Sequence, residues 1–191
     1  MNIVLASSSI YRKALLSKIL PTFEQFSPNI DESARAHEKP DAMARRLAEH
    51  KAKVGHGQFE DALIIGSDQV AFSDNHQLTK AGNRESNINQ LKRCSGKEIT
   101  FYTGLAVFNT RSTNMQSSVE VYKVKFKHLT TKQITHYVER EQAFDCAGGF
   151  KVEGLGISLF EYVRGDDPNT LVGLPLIRLT EMLVNEGYQV I

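Results

Sequence analysis

The residues LIIGSDQV at positions 63–70 set a carboxylate and a carboxamide, Asp68 and Gln69, directly behind an apolar, β-branched run. Gly66 and Ser67 between them read as the point where a core strand over residues 62–65 stops and turns. Ligands in α/β proteins sit just beyond the carboxyl ends of strands. Asp68 and Gln69 in that place are candidates for a ligand site. An ordinary turn uses the same residue types.

Four further stretches carry chemical groups. In LASSSIYRKALL, residues 5–16, a short strand, a serine-rich turn and a helix start fall together. Free N–H groups and the positive helix end suit an anion, with Ser7 and Ser9 as hydroxyl donors and Arg12 and Lys13 as charges. Cations in a first helical turn oppose the helix dipole, a small cost that makes sense if they serve an anion. A serine cap flanked by two surface bases is the other reading, and the Gly-Lys-Ser signature of a P-loop is absent. Glu32, in NIDESARAHE, is a loop carboxylate suited to a divalent cation or simply to water. Lys51 follows Met43 and Leu47 at four-residue spacing, which puts it on or beside a buried helix face. From there it either covers apolar surface with its stem or reaches a phosphate. In CAGGFKVEGLG, residues 146–156, four glycines allow close backbone approach or form a mobile turn. If the segment is extended, Lys151 and Glu153 share a face. Anion binding, metal-suited carboxylates and glycine-rich backbone are together what hydrolysis of a nucleoside triphosphate needs.

The elements that must position these groups alternate between strand and helix patterns without regular βαβ repetition, which predicts an α/β fold with a mixed sheet. A strand at 3–5 leads into a helix with Leu15, Leu16, Ile19 and Leu20 inside, stopped by Pro21. Residues 23–35 read as irregular, and a helix starts near Pro40 with Met43, Leu47 and Val54 on its apolar side. A hairpin with an Asp-Asn turn is expected over 70–78, then a helix over 84–96 with Ile88 and Leu91 inside. Two long strands follow over 98–109 and 119–129, the second with Lys123, Lys125 and Lys127 on a solvated edge. Thr130 and Gln133 form a capping box, ISLFEYV reads as a strand, and a helix over 175–186 ends the pattern.

The chain has 191 residues, 41% hydrophobic and 24% charged, with 23 basic and 22 acidic residues. That balance argues against a nucleic-acid-coating protein. No apolar run is long enough to span a membrane, and MNIVLASSS lacks the pattern of a signal peptide. Cys94 and Cys146 read as reduced thiols, with a bridge between them left open.

LASSSIYRKALL, DES, IIGSDQV, Lys80 and CAGGFKVEG stand in the order and spacing of the Maf family of nucleoside triphosphate pyrophosphatases, which the whole chain resembles. GSDQV, FKVEG and DPNTLVGLPL are similar to the 7-methyl-GTP pyrophosphatase branch. The resemblance implies one Maf-like domain over 1–191, of Maf/ITPase-like α/β fold. It has a mixed central sheet flanked by helices, and two lobes with a deep cleft between them. It implies a cytoplasmic, metal-dependent hydrolase using Mg²⁺ or Mn²⁺, with a nucleotide as its partner and a homodimer among the expectations. The reaction is hydrolysis of 7-methyl-GTP to 7-methyl-GMP and diphosphate, which clears modified nucleotides.

By the same resemblance Asp68 is the proton acceptor, and Glu32 and Asp68 hold the metal. Tyr11, Gln69 and Glu153 distinguish substrate branches, and Ser7, Ser9, Arg12, Lys51, Lys80 and Lys151 bind phosphate. Thr79 and Ala81 stand where the family often carries glycine and proline around Lys80. Glu153 suits guanine, whose pairing edge offers two adjacent donors, whereas uracil and thymine offer one donor between two acceptors. A base made cationic by N7 methylation also favours a carboxylate and an aromatic face such as Tyr11. Two rival readings remain: a dTTP/UTP or broader-specificity pyrophosphatase, and a division-arrest interaction protein that needs no catalysis.

Overall fold

The computed structural model describes every residue except Asn75, so the expected Asp-Asn turn lies partly outside the described residues. In chain order the elements are β1 (Asn2–Ala6), α1 (Ile10–Leu16), β2 (Glu24–Phe26), α2 (Pro40–Lys53), β3 (Ala62–Ser73), β4 (His76–Leu78), α3 (Arg84–Cys94), β5 (Glu98–Asn109), β6 (Met115–Phe126), α4 (Thr131–Glu141), a 3₁₀ turn (Leu155–Leu159), β7 (Phe160–Arg164), α5 (Asn169–Val172) and α6 (Leu176–Asn185). The sheet order is β2-β1-β3-β5-β6-β7, with β4 paired to β3. β1 runs parallel to β2 and β3, whereas β3–β4 and β6–β7 are antiparallel, so the sheet is mixed as expected. The chain divides into two compact units: Met1–Gln69 with Tyr102–Glu120 and Asp167–Ile191, and Val70–Phe101 with Val121–Asp166.

In the first unit the period-two alternation of strand side chains builds two cores. Ile3, Leu5, Leu63, Ile65, Leu105 and Val107 pack with Leu15 and Leu16 of α1 and Leu179, Met182 and Leu183 of α6. Val4, Ala6, Ala62, Ile64, Ala106 and Phe108 pack with Ala48 and Ala52 of α2. The second unit is organised around phenylalanines. Phe150 stacks edge-on against Phe101, Phe126 and Phe160 at centroid distances of 5.7, 5.7 and 4.8 Å.

Several local expectations are corrected. The three-residue β2 interrupts the irregular stretch because it pairs with β1. Val54 caps α2 and is 42% exposed. Ile88 is only half-buried, and Asn87 and Gln90 turn inward instead. β6 lies between β5 and β7, so the lysine ladder is not on an edge. Lys123 meets Glu98 at 3.0 Å and Lys125 reaches the Gly96 carbonyl at 2.7 Å. Ile157 belongs to the 3₁₀ turn, and the last strand starts only at Phe160. The Thr130–Gln133 capping box forms as expected. Cys94 and Cys146 form no disulfide, and burial pushes the Cys94 thiol up to about 12. Among the described residues no helix is long and apolar enough to cross a membrane.

Candidate active site

β3 does not stop at Gly66. It continues to Ser73, and Asp68 lies inside the strand rather than beyond its end. Gly66 serves packing: a Cβ there would lie 2.2 Å from the Ala48 carbonyl oxygen and 2.6 Å from the Ala52 nitrogen. At Gly104 of β5 a Cβ would lie 2.0 Å from the Ala44 carbonyl oxygen. Ala44, Ala48 and Ala52 form a small-residue stripe at helical spacing, so α2 settles directly onto the strand backbones.

That close approach delivers Lys51, near the end of α2, to Asp68. Lys51 Nζ is 2.6 Å from Asp68 Oδ1, and the two residues are 6% and 7% exposed. The same ammonium is 2.6 Å from Glu32 Oε1, whose side chain is largely exposed. One cation therefore bridges a buried carboxylate and an exposed one. The loop that carries Glu32 is tied to α2 by Arg46. Its Nε and Nη2 donate to Glu38 Oε1 and Oε2 at 2.5 and 2.7 Å, and Nη2 also donates to the Ser33 carbonyl at 3.0 Å. This paired contact holds the Glu38 carboxyl at about 2, well below the usual range.

Ser7, Ser9 and Arg12 form a second cluster in the same unit. Ser9 caps α1 by accepting from the Arg12 N–H at 3.3 Å, and Ser7 Oγ accepts from the Ser9 N–H at 3.2 Å. Arg12 Nη1 lies 3.4 Å from Ser7 Oγ, and its Nε donates to the Gly173 carbonyl at 2.8 Å. Gly173 has φ 110°, and a Cβ there would stand 3.3 Å from Arg12 Nε. Glycine thus allows both the left-handed backbone and the approach of the guanidinium. Burial lowers the Arg12 pKa from its ordinary value, while Asp68 and Glu32 pull it back up. Arg12 therefore feels the same carboxylates that Lys51 bridges. Tyr11 is half-buried on α1 beside it.

Gln69 turns its amide toward α5, donating to Thr103 Oγ1 at 2.9 Å and to the Thr170 and Leu171 carbonyls at 2.9 and 3.3 Å. Its neighbour Ser67 donates to the Gly104 and Gly173 carbonyls, both at 2.9 Å.

The oxygen pair fits a hard cation. Glu32 and Asp68 already converge on a single positive charge, and neither brings nitrogen or sulfur. Among the described residues no group of three or more His, Cys, Asp or Glu gathers. A bound Mg²⁺ or Mn²⁺ would complete its shell with water and phosphate oxygens, as Mg²⁺ commonly does.

Lys80, Lys151 and Glu153 belong to the second unit. Lys80 is exposed and forms an isolated antiparallel bridge with Ala147. The Thr79 carbonyl beside it accepts from Gln90 Nε2 at 3.1 Å. Lys151 and Glu153 do not lie on an extended segment. Residues 152–154 form a turn, so alternation does not decide their common direction. The segment is anchored on both sides. Asn87 Nδ2 donates to the Gly149 carbonyl at 3.0 Å, Tyr137 Oη accepts from the Lys151 N–H at 3.1 Å, and Glu141 accepts from the Leu155 N–H at 2.6 Å. Burial raises the Tyr137 phenol, partly offset by the Lys151 N–H. Tyr137 is a neutral anchor.

Sequence reasoning missed Arg46, Glu38, Thr103 and Gly173. Only Gly173 carried a signal, a glycine directly after a short helical stretch and two residues before Pro175.

The sheet and its helices define an α/β class of fold shared with the Ham1 protein of Staphylococcus aureus. The TM-score is 0.56 at 12% identity, over 97% of this chain and 100% of that one. The chain itself belongs to the Maf family, whose Maf-like protein profile matches residues 2–186. It is 49% identical over 187 residues to the 7-methyl-GTP pyrophosphatase of Idiomarina loihiensis, covering 97% of this chain and 94% of that protein. It is 48% identical over 189 residues to the 7-methyl-GTP pyrophosphatase of Pseudomonas aeruginosa, covering 99% and 98%.

Proposed function

We propose that this chain is a nucleoside triphosphate pyrophosphatase that hydrolyses 7-methyl-GTP to 7-methyl-GMP and diphosphate. The substrate follows from relatives of that name at 48–49% identity over nearly the whole chain. The reaction class is supported by one observation: Asp68, Lys51 and Glu32 form a carboxylate–ammonium–carboxylate chain within the field of Arg12.

In this reading Asp68 accepts a proton from the water that attacks the α-phosphorus. The bond from that phosphorus to the bridging oxygen breaks, and diphosphate leaves. A positioned base contributes roughly 10²–10⁴ in rate. Ser7, Ser9 and Arg12 bind phosphate oxygens. Lys51 keeps the two carboxylates charge-compensated and aimed at one place. A divalent cation held by Glu32 and Asp68 would neutralise charge developing on the phosphates. Tyr11 offers an aromatic face to the cationic base. The parts given to Gln69 and Glu153 as base readers, and to Lys80 and Lys151 as phosphate ligands, rest on the resemblance, as do a homodimer and a cytoplasmic location.

The test is a hydrolysis screen over canonical and methylated nucleoside triphosphates with product identification. We expect 7-methyl-GMP and diphosphate, activity lost on chelation and restored by Mg²⁺ or Mn²⁺, and a loss of about 10²–10⁴ in kcat for Asp68→Asn. A preference for UTP or dTTP overturns the substrate. Near-normal turnover by Asp68→Asn overturns the mechanism.

A further inference from the structure

A carboxamide can face either way round, and the surroundings of Gln69 favour one. Two of the three groups on its Nε2 are carbonyl oxygens, of Thr170 and Leu171, which accept and cannot donate. The third, Thr103 Oγ1, donates its own hydrogen to the Thr170 carbonyl at 3.1 Å and, so engaged, accepts from Gln69. Reversing the amide would turn its oxygen toward two carbonyl oxygens and lose both of those bonds, and Thr103 could meet it only by giving up its own bond to the Thr170 carbonyl. The carbonyls are themselves held in place. Asp167 Oδ1 accepts from the Asn169 N–H at 2.8 Å and its Oδ2 from the Ile177 N–H at 2.9 Å, which ties the start of α5 to the first turn of α6. Thr103 is fully buried, whereas Gln69 is half-buried.

The geometry points to Thr103 as a positioning residue that sets the polarity of Gln69. With its NH₂ committed to Thr103 and α5, Gln69 presents Oε1 alone, and the group it reads on a substrate is a hydrogen-bond donor. This rests on the reading of Gln69 as a base-selecting residue and gives that role a sign. The pairing edge of guanine carries two adjacent donors. That of uracil carries one, flanked by acceptors that would oppose Oε1. The contact thus favours a guanine-type edge without any charge on Gln69.

The test compares Thr103→Val, which keeps the shape and removes Oγ1, with Thr103→Ser, which keeps the hydroxyl. We expect Thr103→Val to lower the ratio of kcat/KM on 7-methyl-GTP to that on UTP about fivefold, the effect of one neutral hydrogen bond, and Thr103→Ser to restore it. A parallel fall on both nucleotides, or an unchanged ratio, overturns the proposal and leaves Thr103 a purely structural residue. A second measurement does not need turnover. The side-chain NH₂ of Gln69, assigned by NMR from its loss in Gln69→Leu, should exchange slowly with solvent in the wild-type chain. In Thr103→Val one of its protons should exchange at least several-fold faster. Rapid exchange of both protons in the wild-type chain overturns the fixed polarity. If the wild-type chain does not hydrolyse 7-methyl-GTP, the functional reading fails, and the exchange measurement still decides the orientation of the amide.

Discussion

Lys51 and Asp68 are partners from different elements, a helix and a central strand, joined at 2.6 Å with both residues under a tenth exposed. An ion pair this deep is costly to form from water, but removing one partner costs more than forming the pair returns, because the other charge is left buried. The exposed Glu32 on the same ammonium makes the relation unequal: Lys51 has a second carboxylate in direct contact, whereas Asp68 touches Lys51 and feels Arg12 and Arg46 only through space.

Lys51→Met should therefore lower stability by about 3 kcal/mol. Adding Asp68→Asn to it should recover a large part of that loss, since the stranded charge is gone. Urea unfolding of the two single variants and the double variant reads the coupling. Additive effects would mean that the pair is solvated in practice.

Gly66→Ala places a methyl where the Ala48 carbonyl oxygen stands at 2.2 Å. Backbone on both sides cannot yield as a side chain can, so α2 must lift from β3. We expect a cost of about 1–3 kcal/mol and a loss of activity, since Lys51 leaves Asp68 when α2 lifts. Thermal melting and the hydrolysis assay check both. A chain as stable and active as wild type would show that the helix seat is not needed.

The Glu38–Arg46 contact gives a pH dependence with a definite sign. The Glu38 carboxyl is lowered from 4.5 to about 2, chiefly by its hydrogen bonds from Arg46. A group lowered in the folded state adds stability above its unfolded pKa and loses it as pH falls through the folded one. Wild type and Glu38→Gln should differ at pH 5 and above, and converge as pH falls from 4.5 toward about 2. Melting curves over that range measure it, and a constant difference would place the effect outside this carboxyl.

Glu153→Gln keeps the size of the side chain and removes its charge. If the carboxylate meets the guanine edge, efficiency on 7-methyl-GTP should fall roughly 10- to 150-fold, the equivalent of about 1.5–3 kcal/mol for a charge-assisted hydrogen bond. The loss on UTP or dTTP should be smaller. The observable is the ratio of kcat/KM values, and equal losses on both substrates would assign Glu153 to catalysis or folding.

Much of this was legible in the sequence where the physics is local. The alternation of strand and helix patterns predicted a mixed α/β sheet, Thr130 and Gln133 announced their capping box, and the Met43–Leu47–Lys51 spacing placed Lys51 on the buried side of α2. Those features depend on residues within a turn or two of one another. Gly66 was misread because a glycine that ends a strand and one that admits a helix look alike in one dimension. The atoms that decide, the Ala48 carbonyl and the Ala52 nitrogen, come from another element. The partners of Lys51 and the polarity of Gln69 were out of reach for the same reason. The Gln69 amide is oriented by a carbonyl 101 residues away, and the Arg12 guanidinium by one 161 residues away. Residue type and local period determined which groups could do chemistry. Which atom each one presents was decided by hydrogen bonds between distant segments, which exist only once the sheet and its helices have closed on them.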